Sequence, residues 1–541
     1  MLANLSGFQS ERSLDGASAL ATVLTGGSDE RLEVDPGNSR NRYGCQPYPR
    51  PDEISFASST ASTISQHAFD AASAVFDRLP PIDDRNGAKH APANHVQAWH
   101  ALSERIKHDL KRLLELDAQS EVVLSPSGTD AALLAFALAG RLRSRPVASV
   151  VAAADESGSG VALAASGCHF GAAAPHGRRV TKGEPIPGVA SVAEAVRVKS
   201  RDASGHPRPW LEVDDEIRGS AASLIAQGFD VVVYAMDHSK TGLRYPSGAC
   251  LQQLTATYGD AVTIVIDACQ ARLSRSRLKE CLARGHMVLL TGSKFFSGPP
   301  LSGALLFPAR LAERFQTIDR SASGLADYTS QYDWPASCAA FRSALPARSN
   351  NGQLLRWAAA IAEMQRYFAV PELYRTIALR ETAAVMARTI RQHPNLEMLP
   401  SEPCPAAGDD RDEFATPTIF SFGVKRNRKL LSMGQARALY HALNEDVASV
   451  LRVSGIDAEL AAVPCHIGQP VACSSGAGGP FGALRVSVDA RMIAEQWAVR
   501  ESANSGVRPQ SIHKRIKAVL DKIQLLTDNL ERIEQQFGES A

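Results

Sequence analysis

The sequence predicts an α/β protein, with a mostly parallel large-domain sheet flanked by helices and a smaller α+β domain after it. Two observations lead to this prediction. Between residues 96 and 345, short runs of apolar, β-branched residues alternate with helical stretches, which is typical of strands buried on both faces of a parallel sheet. Beyond residue 345 the rhythm changes, and a long helical stretch leads to a region with two further strand-like runs.

Two segments precede the large domain. Residues 1–40 are rich in Ser, Gly, Asp and Arg and have no hydrophobic period, so we expect a disordered arm. Residues 41–95 begin with a Pro- and aromatic-rich stretch, which predicts an extended segment packed on the body. A helix is then expected near 96–115.

The large domain, 96–345, contains six strand-like runs. They lie at 122–124, 147–154, 229–236, 261–268, 286–292 and 303–308. The first run is followed by a turn and by a helix from about Asp130. In open sheets of this kind, ligands bind at the carboxyl ends of the strands, so we expect the functional site there.

The small domain, 346–505, begins with a helix near 352–368 and includes strands at 416–422 and 483–488. The tail, 508–538, is predicted to be one amphipathic helix. Its apolar residues lie three or four positions apart: Ile516, Leu520, Ile523, Leu526, Leu530 and Ile533. This single stripe predicts packing on the body or on a second subunit.

Composition argues against several classes of protein. The 58 Lys and Arg residues oppose 57 Asp and Glu residues, so charge gives no reason to expect nucleic acid or a membrane as a partner. None of the nine cysteines forms a CxxC pair, so we expect no disulfide scaffold and no metal site. The N-terminal residues lack the basic start and apolar stretch of a secretory signal. A soluble cytoplasmic protein is the expectation.

Polar clusters follow two of the predicted strands. Ser127, Gly128 and Thr129 lie between a strand and a helix, where hydroxyls and free amides can hold a phosphate, although the same residues also cap ordinary helices. Asp267 and Gln270 follow the run at 261–268. A carboxylate at the end of a buried strand needs a partner, and either an arginine or a protonated ring nitrogen would serve.

The third cluster is Ser293-Lys294, one strand beyond Asp267. A nucleotide-binding P-loop requires G-x-x-x-x-G-K-[ST], but Ser293 precedes this lysine and Phe295 follows it, so that motif is excluded. A lysine that forms a Schiff base with a carbonyl cofactor needs a strand-end position beside a phosphate pocket and an acidic residue. The sequence therefore favours the second chemistry.

In order and spacing, the three clusters resemble those of fold type I pyridoxal-phosphate enzymes. More narrowly, they are similar to the class V aminotransferase group, which includes cysteine desulfurases and kynureninase. The resemblance covers roughly residues 95–310, with thinner support to about 490. It implies that Lys294 binds pyridoxal 5'-phosphate as a Schiff base and later moves the proton at the substrate's α-carbon. Asp267 would pair with the ring nitrogen, and Gln270 would bond the phenolic oxygen.

The resemblance also implies contacts to phosphate and substrate. Ser127, Gly128, Thr129 and Ser293 would anchor the phosphate beside a helix N-terminus, and Thr291 is a weaker candidate. In the small domain, Arg485 resembles the arginine that grips the substrate's α-carboxylate. His466 is a second substrate-binding candidate, which could orient the substrate or shape its own loop.

Two positions depart from the family pattern. Lys240 stands where the family often has an asparagine near the cofactor's oxygen, so the corresponding contact is in doubt. Glu156 lies where the family often stacks an aromatic ring or a histidine on the cofactor. A carboxylate cannot stack, so Glu156 is expected to cap the helix near Gly160 or to contact the substrate.

The expected reaction is amino transfer on an amino acid, with two alternatives. A cysteine desulfurase or carbon–sulfur lyase would need a mobile thiolate, for which Cys465 and Cys473 are candidates, although packed or idle thiols are favoured. A catalytically inactive binding protein of the same fold is the second alternative. The resemblance implies a homodimer, in which the segment 348–353 either reaches the neighbour's phosphate or caps a helix.

Overall fold

The computed structural model describes residues 16–80, 93–142, 145–189, 191, 193–315, 323–400, 412–474, 479–501 and 511–538. Residues 1–15 of the expected arm lie outside this range, as do residues 81–92 of the following segment. No helix in the described ranges is long and apolar enough to span a bilayer.

The N-terminal region packs on the body from residue 16 onward. Its elements are helix α1 (16–25), strands β1 (Val34–Asp35), β2 (Arg40–Asn41) and β3 (Ile54–Phe56), and helices α2 (Gln66–Phe76) and α3 (Ala93–Leu113). Residues 16–40 therefore differ from the expected disordered arm. The physical reason is that Leu20, Leu24 and Leu32 are at most 4% exposed, which anchors a segment whose composition is otherwise polar.

The large sheet has seven strands in the order β4-β10-β9-β8-β7-β5-β6. Their bounds are β4 (Glu121–Ser125), β5 (Val147–Val151), β6 (Val196–Arg197), β7 (Asp230–Met236), β8 (Val262–Ala268), β9 (Met287–Thr291) and β10 (Gly303–Phe307). All pairs are parallel except those of β10, which runs antiparallel to both β4 and β9. The short connection 292–302 explains this exception, because a parallel crossover needs a dozen or more residues.

Helices cover both faces of this sheet. They are α4 (Gly128–Arg141), α5 (Val161–Ala164), α6 (Trp210–Ala226), α7 (Gly248–Tyr258), α8 (Arg275–Ala283) and α9 (Ala309–Phe315). Successive residues of β7 enter two different cores: Val231 and Val233 belong to one, and Val232 and Tyr234 to the other. Burial on both faces explains the unbroken apolar runs of the sequence and confirms the predicted α/β class.

The second sheet has the order β11-β12-β15-β14-β3, with β13 attached to β12. Its strands from this half of the chain are β11 (Leu396–Met398), β12 (Ile419–Arg426), β13 (Lys429–Leu430), β14 (Cys465–Ser474) and β15 (Pro480–Ser487). The helices are α10 (Ala339–Ser343), α11 (Asn351–Phe368), α12 (Glu372–Gln392), α13 (Met433–Leu443), α14 (Ala448–Leu451), α15 (Ile456–Ala462) and α16 (Ala490–Glu501). Strand β3 pairs in parallel with β14, so the N-terminal region completes the small-domain sheet.

The tail forms two helices, α17 (Ile512–Asp528) and α18 (Leu530–Phe537), where the sequence predicts one. The helical geometry is interrupted at Asn529, whose side chain donates to the carbonyl of Leu525. All six residues of the predicted apolar stripe are at most 1% exposed. The stripe packs on the body, against α12 and α13.

Candidate active site

The carboxyl ends of β4, β8 and β9 open into a cavity of about 330 Å³, whose walls include residues of the small domain and the N-terminal region. This is where the sheet topology predicts a ligand site. Nine of the ten residues to which the resemblance assigns cofactor or substrate contacts line it: Ser127, Gly128, Thr129, Asp267, Gln270, Thr291, Ser293, Lys294 and Arg485. The tenth, His466, lies elsewhere.

Lys294 follows β9 and extends into the cavity. Its ε-amine forms no hydrogen bond or ion pair with any residue that the structure describes. Burial lowers the pKa of this amine, although the nearby Cys269 and Asp267 oppose the effect. A larger fraction of this amine is therefore neutral than for an exposed lysine, and the neutral amine is the form that attacks a carbonyl carbon.

Asp267 lies in the same cavity because of strand register. It is the second-to-last residue of β8 and stands opposite Leu289 of β9, two residues before that strand ends. The side chain is buried, and its Oδ1 accepts a hydrogen bond from the backbone N of Cys269 at 3.1 Å. The amine of Lys294 and the carboxylate of Asp267 can thus act on one ligand.

The start of α4 forms another wall. Ser127 caps this helix, with its Oγ accepting from the backbone N of Asp130 at 3.2 Å and from Nη2 of Arg31 at 3.0 Å. It also donates to the Asp130 carboxylate, so its hydroxyl is occupied within the protein. The hydroxyls of Thr129 and Ser293, by contrast, have no hydrogen-bond partner among the described residues.

The start of α4 requires a glycine because the helix backbone lies very close to the residue that follows β8. A Cβ at Gly128 would lie 2.4 Å from Sγ of Cys269, which follows β8. The helix N-terminus therefore reaches the edge of the sheet without an intervening side chain. Free backbone N–H groups at such an end attract anions, and here they lie beside the unpaired hydroxyls of Thr129 and Ser293.

Gln270 is held firmly in the cavity wall. Its Oε1 accepts from Nη1 of Arg272 at 2.9 Å, and its Nε2 donates to the carbonyl of Ser59 at 3.1 Å. The side chain is 2% exposed. One hydrogen of the side-chain amide remains for a ligand, so the predicted contact to a phenolic oxygen is compatible with this arrangement.

Two buried arginines near the cavity differ in how many of their N–H groups remain free to bind a ligand. Arg485 donates to the carbonyls of Gln469 and Lys240 and to Oγ1 of Thr60, at 2.9, 3.2 and 2.8 Å. These bonds use three of its five N–H groups and leave two for an anion. Burial lowers the pKa of Arg485 to about 10. In Arg272 all five N–H groups are occupied, by Thr418, Ser58, Val488 and two oxygens of Gln270.

His466 does not reach the cavity. It is fully buried, its Nε2 is 2.9 Å from the carbonyl oxygen of Tyr43, and its Nδ1 is 3.5 Å from Glu53. These contacts direct the imidazole toward the N-terminal region instead of toward a substrate. Of the two interpretations of His466 from the sequence, the geometry supports only the one in which it shapes its surroundings.

Neither candidate thiol lines the cavity. Cys465 is fully buried at the start of β14, and Cys473 packs beside Leu399 and Phe481 in a small apolar cluster. Burial raises the pKa of each thiol to about 11. Cys269 is the thiol in the cavity wall, and burial raises its pKa as well.

Glu156 does not cap α5. The N-cap residue of this helix is Gly160, and the helix start has no side-chain capping hydrogen bond. The carboxylate of Glu156 instead accepts from Arg201 and from the hydroxyls of Ser239 and Thr241. This buried network joins the loops that follow β5, β6 and β7. The carboxylate is therefore fully engaged within the protein.

The sequence gives little warning that the N-terminal region lines the site. Arg31, Arg42, Ser59 and Thr60 all face the cavity. The hydroxyl of Ser59 is buried without a hydrogen-bond partner in the described part of the chain. The run of hydroxyl residues at 58–63, between β3 and α2, is the signal that could have indicated a polar wall.

Comparisons with known proteins identify the fold. No protein-family profile and no curated protein sequence matches the chain. Among solved structures, tryptophan decarboxylase of Catharanthus roseus in complex with L-tryptophan is 13% identical, with 98% of this chain and 99% of that chain covered and a TM-score of 0.51. The cysteine desulfurase CsdA of Escherichia coli is 14% identical, with coverages of 88% and 95% and a TM-score of 0.48. Mouse CSAD is also 14% identical, with coverages of 87% and 83% and a TM-score of 0.49.

The match to the plant decarboxylase spans both chains almost completely, so this chain has the same overall fold. That fold is the fold type I architecture expected from the sequence. The function depends on the site and is argued from the site residues.

Proposed function

We propose that this chain is a pyridoxal-phosphate-dependent enzyme that acts on an amino acid. The observation that supports it most is that Lys294 and Asp267, which come from neighbouring strand ends, line one cavity with the N-terminus of α4. The donor set fits the cofactor. An unpaired amine suits an aldehyde, a carboxylate suits a protonated ring nitrogen, and unpaired hydroxyls at a helix N-terminus suit a phosphate.

Pyridoxal phosphate, when bound, supplies an aldehyde carbon for an amine and a ring that delocalises electrons from the substrate's α-carbon. Lys294 Nζ would hold the cofactor covalently and, once released, move the proton at the α-carbon. Asp267 would hold a proton on the ring nitrogen. Thr129, Ser293 and the backbone N–H groups at the start of α4 would bind the phosphate.

Substrate binding is assigned to Arg485. Its two remaining N–H groups match the two oxygens of a carboxylate. Its other donors fix the guanidinium group against Thr60 and Gln469, so little side-chain freedom is lost on binding. Arg485 would therefore orient the α-carboxylate and place the α-carbon near Lys294.

Amino transfer of the class V type is the reaction we propose to test first, in a cytoplasmic homodimer. The desulfurase alternative has weaker support, because neither Cys465 nor Cys473 lines the cavity. An inactive binding protein has weaker support too, since the unpaired Lys294 amine and the Asp267 carboxylate share the cavity without pairing to each other.

Borohydride labelling tests the proposal directly. Purified protein given pyridoxal phosphate is expected to turn yellow, and borohydride is expected to fix the cofactor on the peptide that contains Lys294. Lys294→Ala should abolish labelling, while the matched control Lys429→Met, at an exposed lysine outside the cavity wall, should retain it. A colourless protein, or label on another lysine, would refute the proposal.

An amino-acid panel then separates the reactions. Keto-acid formation that depends on a second keto acid supports amino transfer. Sulfide released from cysteine, and lost in Cys465→Ser or Cys473→Ser, supports a desulfurase and contradicts the preferred assignment. Release of carbon dioxide would show a decarboxylase.

A further inference from the structure

Lys240 is a cation in the cavity wall that the proposed function does not use. Lys240 follows β7 and lines the cavity together with Lys294 and Arg485. Its ε-amine has no hydrogen bond or ion pair with any described residue. A partly buried lysine without an acidic partner is costly, which points to an anion that arrives with a ligand.

The backbone of Lys240 is fixed beside the carboxylate-binding arginine. Its carbonyl accepts from Nη1 of Arg485 at 3.2 Å, and its N–H donates to the carbonyl of Glu156 at 3.1 Å. Burial and the positive charges of Arg485 and Lys294 together lower the pKa of the Lys240 amine to about 8, although Glu156 and Asp155 oppose the effect. An anion between these groups would relieve their mutual repulsion.

The acids in the cavity wall are committed elsewhere. Glu156 is saturated by Arg201, Ser239 and Thr241. Glu30 accepts a hydrogen bond from the backbone N of Ala172. Asp267 accepts from the backbone of Cys269 and is assigned to the ring nitrogen. No carboxylate among the described lining residues pairs with Lys240.

We propose that the substrate is an amino acid with a second acidic group on its side chain, and that Lys240 binds that group while Arg485 binds the α-carboxylate. The inference rests on the proposed function, because the phosphate and the α-carboxylate must first be assigned to other donors. Lys240 is then a specificity-determining residue.

Matched pairs of amino acids test the inference. Holoprotein is titrated with aspartate against asparagine and with glutamate against glutamine, and binding is followed by the absorbance of the bound cofactor. Each amide has nearly the shape of its acid but lacks the charge. We expect at least one acid to bind about tenfold or more tightly than its amide. Lys240→Met should remove that preference, Lys240→Arg should keep most of it, and Lys429→Met, at an exposed lysine outside the cavity wall, should leave it unchanged.

Three other outcomes would refute the inference, and the last of them would also refute the proposed function. Wild-type holoprotein that binds acids and amides equally overturns the inference and leaves the proposed function standing. The inference is also overturned if Lys240→Met weakens acids and amides to the same extent and shifts the cofactor's absorbance, since Lys240 would then contact the cofactor. Protein that takes up no pyridoxal phosphate overturns both the proposed function and the inference.

Discussion

At the scale of single residues, the site depends on charges that are buried but only partly paired. Asp130, in the first turn of α4, is fully buried, and its Oδ1 has no hydrogen-bond partner in the described part of the chain. Burial raises the pKa of its carboxyl to about 7, although Arg31 opposes the effect. A proton on this carboxyl keeps a second negative charge away from the predicted phosphate position.

Asp130→Asn tests this charge state through stability. The folded protein keeps a proton that the unfolded chain releases above about pH 4, so the free energy of unfolding falls as pH rises from about 4 to about 7. Asparagine cannot ionise and should remove this part of the pH dependence. At pH 8 we expect the variant's melting temperature to exceed that of the wild type by about 5 °C, with little difference at pH 4. Parallel melting curves across this range would contradict the assignment.

At the scale of elements, helix ends are satisfied by side chains that come from far along the chain. Lys522 of α17 is fully buried, and its Nζ donates to the carbonyls of Leu443, Glu445 and Val463. The first two carbonyls lie at the end of α13, where a helix leaves its last carbonyls unpaired. The tail therefore stabilises the small domain through one amine as well as through its apolar stripe.

Lys522→Met should show the value of this contact. Methionine fills similar space but leaves three carbonyls without their donor, so we expect a loss of about 2–4 kcal/mol in the free energy of unfolding. Urea denaturation measures it. Lys517→Met is the matched control on the same helix, because Lys517 forms only an exposed pair with Asp521 and should change stability by about 0.5 kcal/mol or less. Equal effects of the two substitutions would refute the capping role.

At the scale of the whole molecule, the cavity exists because three distant parts of the chain meet. Arg272 joins them: it bonds Gln270 beside the large sheet, Ser58 in the N-terminal region and Thr418 in the small domain. The segment 348–353 has a local role within this chain, since Asn350 caps α11 by accepting from the backbone N of Gln353 at 3.1 Å. The homodimer is proposed from the resemblance, and light scattering of the purified protein tests it.

Arg272→Met should damage stability and cofactor binding together. It leaves several buried acceptors without a donor, so we expect a loss of about 2–5 kcal/mol in the free energy of unfolding. The affinity for pyridoxal phosphate should fall as well, because Gln270 and Ser58 lose their common partner. Arg105→Met, at an arginine whose side chain is 68% exposed, is the control and should change neither quantity. Unchanged cofactor affinity in Arg272→Met would contradict its role in assembling the site.

The strands and the central pair of the site follow from local patterns in the sequence. The runs at 229–236 and 261–268 are apolar except at Asp230, Thr263 and Asp267, because both faces of β7 and β8 are buried. Parallel strands also end at one edge, so a polar residue directly after such a run, like Lys294, can be assigned to the site without knowledge of the packing.

The tertiary structure alone decided which distant residues complete the site. Thr60 lies 425 positions before Arg485, yet the two are hydrogen-bonded because β3 adds to the small-domain sheet. His466 looked equally suited to the site, but the same strand pairing turns it toward Tyr43. The hydrophobic period and the composition of a segment indicate only which residues of that helix or strand are buried. The partner across a sheet or cavity is set by the packing of remote segments, which leaves no local pattern in the sequence.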